Sequence, residues 1–129
     1  MSRTILIVDD EPDFAGFLSE VLSGEDFDVK ISNSAKHALE LIRENQFSSI
    51  FLDIVMPDMD GIELLRELDR IKSLPPIVLM SGYDRLYLKM AETIIQNSHI
   101  KLVGIINKPV RFDDLIEVIR NLEFGDGIN

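Results

Sequence analysis

Five short apolar runs punctuate the chain: Ile5–Val8, Val29–Ile31, Ile50–Leu52, Ile77–Met80 and Leu102–Ile106. Four are continuous and rich in Ile, Val and Leu, the pattern of strands covered on both faces. The second is broken by Lys30, and that alternation fits an edge strand. Between the runs, apolar residues recur at helical spacing. Phe14, Phe17, Leu18, Val21 and Leu22 make one stripe of a first helix. Ala35, Ala38, Leu39 and Ile42 make a second, with Ser34 as its N-cap. Ile62, Leu64, Leu65, Leu68 and Ile71 predict a third helix, opened by a turn at Asp58 to Asp60. Leu86, Tyr87, Met90, Ala91, Ile94 and Ile95 predict a fourth. Phe112, Leu115, Ile116, Ile119 and Leu122 predict a fifth, with Asp113 and Asp114 in the first turn, where the helix dipole favours acids.

Strand and helix thus alternate five times. That predicts an α/β fold with a five-stranded parallel sheet, helices on both faces and right-handed crossovers. The 129 residues suffice for one domain with a proper core. It is expected over 1–123, with 124–129 as a tail or the start of a linker, since that stretch has two glycines and no period.

Charge narrows the partners. With 13 basic and 23 acidic residues the net charge is −10, so direct contact with nucleic acid or anionic membrane is not expected. No cysteine occurs, which excludes disulfides, thiolate metal sites and cysteine nucleophiles. The apolar runs are too short to cross a membrane, and the N-terminus turns acidic too early for a signal peptide. The cytoplasm is the expected location.

In open parallel α/β sheets, ligands gather beyond the carboxyl ends of the strands. The first strand delivers Asp9 and Asp10 there, the third Asp53, and the fourth Ser81 and Gly82. The fifth delivers Asn107 and Lys108, then Pro109. Three carboxylates held together repel unless a cation joins them. An oxygen-only set suits Mg2+ (or Mn2+) rather than zinc or copper. Lys108 and Ser81 make sense if a phosphoryl group enters, the one pairing with an oxygen and the other donating to a second. The reacting group is then a carboxylate nucleophile that forms an aspartyl phosphate, and Asp53, on the central strand, is its candidate. Taken singly, an acidic pair caps a helix and a lysine at a strand end is solvated. Their joint occurrence at four strand ends favours chemistry. Asp58, Asp60 and Gly61 are read as turn and cap residues only.

ILIVDDEP, FLDIVMPDMDG, LMSG and INKPV, in this order, resemble the receiver domain of two-component response regulators. The resemblance spans essentially the whole chain. It implies a flavodoxin-like (βα)5 fold of strand order 2-1-3-4-5. Asp53 would be the phosphoacceptor, supplied by the phosphohistidine of a sensor histidine kinase or phosphotransfer protein. Asp10, Asp53 and the backbone carbonyl of Val55 would hold Mg2+, with Asp9 acting through water. Ser81 would be the switch hydroxyl, Lys108 the phosphate-binding lysine, and Pro109 would follow a cis peptide bond. Signal would leave through the face made by the fourth helix, fifth strand and fifth helix, towards an output domain or downstream protein, with a dimer possible through that face. Such a chain catalyses its own phosphorylation and dephosphorylation and is not a turnover enzyme.

Three departures stand out. Ile105 occupies the position where receivers usually carry Tyr or Phe as a rotamer switch, and Tyr83 is the candidate substitute. QNSHIKLVG lengthens the connection between Ser81 and Lys108. Val55 has no polar side chain to steer a hydrolytic water, so a persistent acyl phosphate is expected. The competing readings are a haloacid-dehalogenase-type phosphohydrolase and a receiver-like interaction module that no longer takes phosphate. The first fits poorly, because the residue two after Asp9 is Glu11, followed by Pro12. The intact acidic set argues against the second. His37 and His99 are expected at the surface without charged partners nearby in sequence, Met80 and Met90 in the core, and Tyr83 and Tyr87 half-buried beside the fourth helix.

Overall fold

Each apolar run becomes a strand that starts or ends within a residue of the run. The computed structural model describes residues 3–56, 61–82 and 84–123. Its elements are β1 (Thr4–Val8), α1 (Pro12–Gly24), β2 (Asp28–Ser32), α2 (Ala35–Glu44) and β3 (Ser49–Asp53), followed by α3 (Gly61–Leu68), β4 (Ile77–Ser81), α4 (Arg85–Gln96), β5 (Leu102–Asn107) and α5 (Phe112–Glu123). All strand pairs are parallel, in the order β2-β1-β3-β4-β5. The fold class and strand order are those expected. β3 and β4 are buried along their whole length, as unbroken apolar runs require.

Two apolar layers flank the sheet. Leu6, Val8, Ile50, Leu52 and Leu79 pack with α2, α3 and α4 on one side. Ile5, Ile7, Phe51, Val78 and Met80 pack with α1 and α5 on the other. Ser34 caps α2 as expected, its hydroxyl accepting from the His37 N–H. Asp84, which the sequence reading did not single out, caps α4 by accepting from the Tyr87 N–H at 2.9 Å. Tyr87 is half-buried, as expected.

Several apolar residues face away from the core. In α1 the buried stripe is Ala15, Leu18 and Leu22, and Phe17 lies off its side in solvent. In α4 only Ala91 and Ile95 are fully covered, so Leu86 and Met90 point outward, against the expectation of core positions. In α5 the stripe is Leu115, Val118 and Ile119, and Phe112 stands exposed at the first helical position before it begins. Ile31 on the edge strand is exposed because the small Ala15 and Gly16 of α1 leave a cleft beside it instead of a cover. α3 ends at Leu68, so Ile71 packs from the turn beyond it. Asp58, Asp60, Tyr83 and the tail over 124–129 lie outside the described residues.

One irregularity positions the site. Ile77 pairs with Leu102 but Val78 pairs with Gly104, so β5 carries Val103 as an extra residue. Downstream of that bulge the register places Ser81 beside Asn107, which brings Lys108 to the strand ends. Gly104 also leaves room for α5, because a Cβ there would come within 3.0 Å of the Val118 side chain.

Candidate functional site

Where β1 ends, Asp9 turns inward. Its backbone N–H donates to the Ser32 carbonyl at 3.0 Å, extending the β1–β2 ladder by one bond. Its Oδ1 accepts from the Glu11 N–H at 2.8 Å, an Asx-type turn that redirects the chain into α1 at Pro12. Asp9 is thereby 1% exposed, whereas Asp10, on the other side of the turn, is open to solvent. β3 carries Asp53 at its last position, also buried, with Oδ1 accepting from the Val55 N–H at 3.0 Å. The peptide following Asp53 is pinned as well: the Ile54 N–H donates to Met80, and Gly61 lies so close that a Cβ there would run into the Ile54 carbonyl.

Lys108 closes the cluster. Its backbone N–H donates to the Ser81 carbonyl at 2.7 Å, and its bond to Pro109 is cis. Its ammonium donates to Asp53 Oδ2 at 3.1 Å and to Glu11 Oε1. Asp9 Oδ2 lies 2.8 Å from the same nitrogen as an ion pair without hydrogen-bond alignment. The Phe14 ring sits 4.6 Å from the ammonium, a cation–π contact. Asp10, Asp53, Val55, Ser81, Gly82 and Lys108, with Glu11, Ile54 and Asp84, line a cleft of about 550 Å3. Asp9 lies beneath it, and Ser81 is buried at its wall.

The electrostatics follow from this crowding. Burial pushes the Asp53 carboxyl above its ordinary range, and the Asp9 charge adds to that. The Val55 N–H and Lys108 oppose the rise without cancelling it. For Lys108, burial works against the charged form, but Asp9, Glu11 and Asp53 overcome it and hold the ammonium well above the usual lysine range. One ammonium therefore serves three carboxylates, which leaves the cluster net negative. Asp9, Asp10 and Asp53 each offer an oxygen within 4.8 Å of the others. Hard oxygens in that number, one of them the Asp9 Oδ2 that no aligned donor satisfies, fit a small divalent cation such as Mg2+.

The structure thus brings together Asp9, Asp10, Asp53, Val55, Ser81, Gly82 and Lys108. Pro109 follows them on the surface, and Ile105 is half-buried against the α2–α3–α4 layer, outside the cleft. Glu11 and Phe14 are site residues that sequence reasoning missed. No local signal marks them, since their partner Lys108 is 97 positions away from Glu11.

The family model of the response regulator receiver domain matches residues 5–120. This chain belongs to that family. Among curated relatives, the transcriptional regulatory protein ZraR of Escherichia coli is 32% identical over 111 residues, covering 86% of this chain and 24% of ZraR. SrrA of Staphylococcus aureus is 39% identical over 79 residues, covering 61% of this chain and 33% of SrrA. This receiver therefore spans about a quarter to a third of those regulators. Among solved structures, a CheY-like receiver domain protein from Methanospirillum hungatei superposes over the full length of both chains with a TM-score of 0.82 and 28% identity. The response regulator TrrA of Thermotoga maritima, solved in complex with Mg2+ and BeF, has a TM-score of 0.77 and 26% identity over 95% of this chain and 99% of that one. No helix among the described residues is long and apolar enough to cross a membrane.

Proposed function

We propose that this receiver takes a phosphoryl group onto Asp53 from the phosphohistidine of a sensor histidine kinase or phosphotransfer protein, and that the phosphorylated form is the signal. The supporting observation is the single ammonium of Lys108 set between buried Asp53 and Asp9, at the wall of a cleft that also holds Ser81. Asp53 is the nucleophile. The Val55 N–H fixes one of its oxygens, and the other bonds to phosphorus as the phosphorus–nitrogen bond breaks and its electron pair returns to the imidazole. Lys108 leaves that oxygen for a phosphoryl oxygen, and the Ser81 hydroxyl donates to another. Asp10, Asp53 and the Val55 carbonyl would hold Mg2+ (or Mn2+), with Asp9 acting through water, and the ion would supply charge neutralisation. The Mg2+ and BeF bound by TrrA support this assignment.

Gly82 keeps the approach open, Tyr83 takes the part of the missing aromatic at Ile105, and Pro109 shapes the loop after Lys108. The output face is that of α4, β5 and α5, read by an output domain, a downstream protein or a second copy. The reaction is confined to self-catalysed phosphorylation and dephosphorylation in the cytoplasm. The test is incubation with Mg2+ and acetyl phosphate, followed by intact mass measurement. Wild type is expected to gain one phosphoryl group and Asp53→Asn none. No gain in wild type overturns the proposal, and release of many equivalents of phosphate points instead to a phosphohydrolase.

A further inference from the structure

Away from the acidic cleft, α3 and α4 leave a groove of about 300 Å3 between them. Its floor and walls are apolar: Leu86, Met90 and Ile94 along α4, and Ile62 on α3. Leu86 is 72% exposed and Met90 47%, while the opposite stripe of α4 satisfies the core through Ala91 and Ile95. Single exposed apolar residues are ordinary, but these adjoin one another at successive turns of one helix and continue across to a second. Flexible methionine is suited to moulding around an incoming side chain.

Two cations stand in the same groove, Arg66 from α3 and Lys89 from α4. Among the described residues neither enters an ion pair, whereas Arg3, Arg43, Arg70 and Lys108 each do. Arg85 lies one turn before Lys89 on the same side of α4. In a chain of net charge −10, these two cations line the apolar furrow with no acidic side chain among its lining residues. Screening limits the reach of distant charges to about 8 Å at physiological salt, so a side chain entering the groove meets first the Arg66 and Lys89 that line it.

We infer that the α3–α4 groove docks an acidic amphipathic helix of another polypeptide. Apolar residues of that helix at i, i+3 or i+4, and i+7 lie along Leu86, Met90, Ile94 and Ile62, and flanking Asp or Glu residues meet Arg66 and Lys89. None of these residues belongs to the acidic cleft, so the inference does not depend on phosphorylation of Asp53.

The test uses the full chain and two labelled synthetic amphipathic helices, identical except that Glu on the flanks of one becomes Lys in the other, with binding read by fluorescence anisotropy. The acidic peptide is expected to bind, and to weaken by about tenfold or more in Met90→Glu and in the double variant Arg66→Glu, Lys89→Glu. Its binding should fall with added salt, and the double variant should prefer the basic peptide. Met90 and both cations are solvent-facing, so circular dichroism is expected to match wild type. The charge-reversal pair stands alone should Met90→Glu misfold. Equal binding of the two peptides, no saturable binding of either, or binding indifferent to the substitutions overturns the inference. So does sedimentation showing that the groove is closed by a second copy which Met90→Glu releases.

Discussion

Lys108 Nζ and Asp53 Oδ2 lie 3.1 Å apart although 55 positions separate them in the chain. That same ammonium is all that neutralises the buried Asp9 carboxylate among the described residues. Replacing it with Met should leave two buried carboxylates without a counter-charge and cost about 3 kcal/mol, because breaking one partner of a buried pair is far worse than never having made it. The pKa of Lys108 is raised on folding, so its stabilisation is complete below the ordinary lysine value and is lost only as pH rises through the folded value. The gap between wild type and Lys108→Met should therefore be constant across neutral pH and close only in strong alkali. Urea denaturation at several pH values measures it, and Mg2+ should recover part of the loss.

Asp53→Asn should act in the opposite direction. Burial holds the Asp53 carboxyl above its ordinary range, so the folded state binds that proton more tightly than the unfolded chain. Stability then falls as pH rises through the window between the ordinary and the raised value, and remains lower above it. The amide has no such window. In EDTA the variant should melt at a higher temperature than wild type at neutral pH, and the two should converge under acid. A variant that melts lower at neutral pH would contradict the electrostatic account of the site.

Gly61→Ala sets two effects against each other. Alanine favours a helix by up to about 1 kcal/mol over glycine. Its Cβ, however, would run into the Ile54 backbone, which cannot yield as a side chain can. Overpacking of this kind costs about 1–3 kcal/mol or more, so the expected sum is destabilisation of about 2 kcal/mol, visible as a lower denaturation midpoint.

Under the proposed function, Val55 sets the lifetime of the acyl phosphate. Its side chain is exposed at the cleft and offers no group to a water molecule. The phosphorylated protein should persist for minutes or longer without a phosphatase, and Val55→Asn should shorten that lifetime by about tenfold by orienting the attacking water. Loss of the phosphoryl mass with time is the measurement, and decay within seconds in wild type would refute the expectation.

His99 closes the opposite end of the sheet. Its Nδ1 lies 2.7 Å from Asp69 Oδ1 and its Nε2 lies 2.9 Å from the Ile71 carbonyl, tying the turn after α3 to the loop before β5. The pair is half-exposed, so His99→Ala should cost only about 0.5–1 kcal/mol in thermal or urea denaturation and leave phosphorylation unchanged.

These residues also show what the chain disclosed in advance. Asp9, Asp53, Ser81 and Lys108 were legible because parallel strands buried on both faces need unbroken apolar runs, and a polar residue at the end of such a run marks the strand tip. Strand order came from resemblance, since periodicity is silent about which strands are neighbours. The Lys108–Glu11 pair and the His99–Asp69 pair were not legible, because each joins residues brought close only by the finished fold. Leu86, Met90 and Phe112 obey helical spacing yet face solvent, for periodicity marks a stripe without saying how wide the covered part is. The extra residue at Val103 left no trace in the apolar run that contains it.

The spacing of the Lys108 contacts also bears on how the cleft comes into being. Its carboxylate partners precede it by 97 positions at Glu11 and 55 at Asp53, so no segment of the chain holds the assembly by itself. Contacts of such long range reward the chain only after loop closure has been paid for, when β5 joins the sheet as its last strand in sequence. Until then Asp53 exists without its counter-cation. Under the proposed function, competence to accept phosphate is thus a property of the completely folded chain.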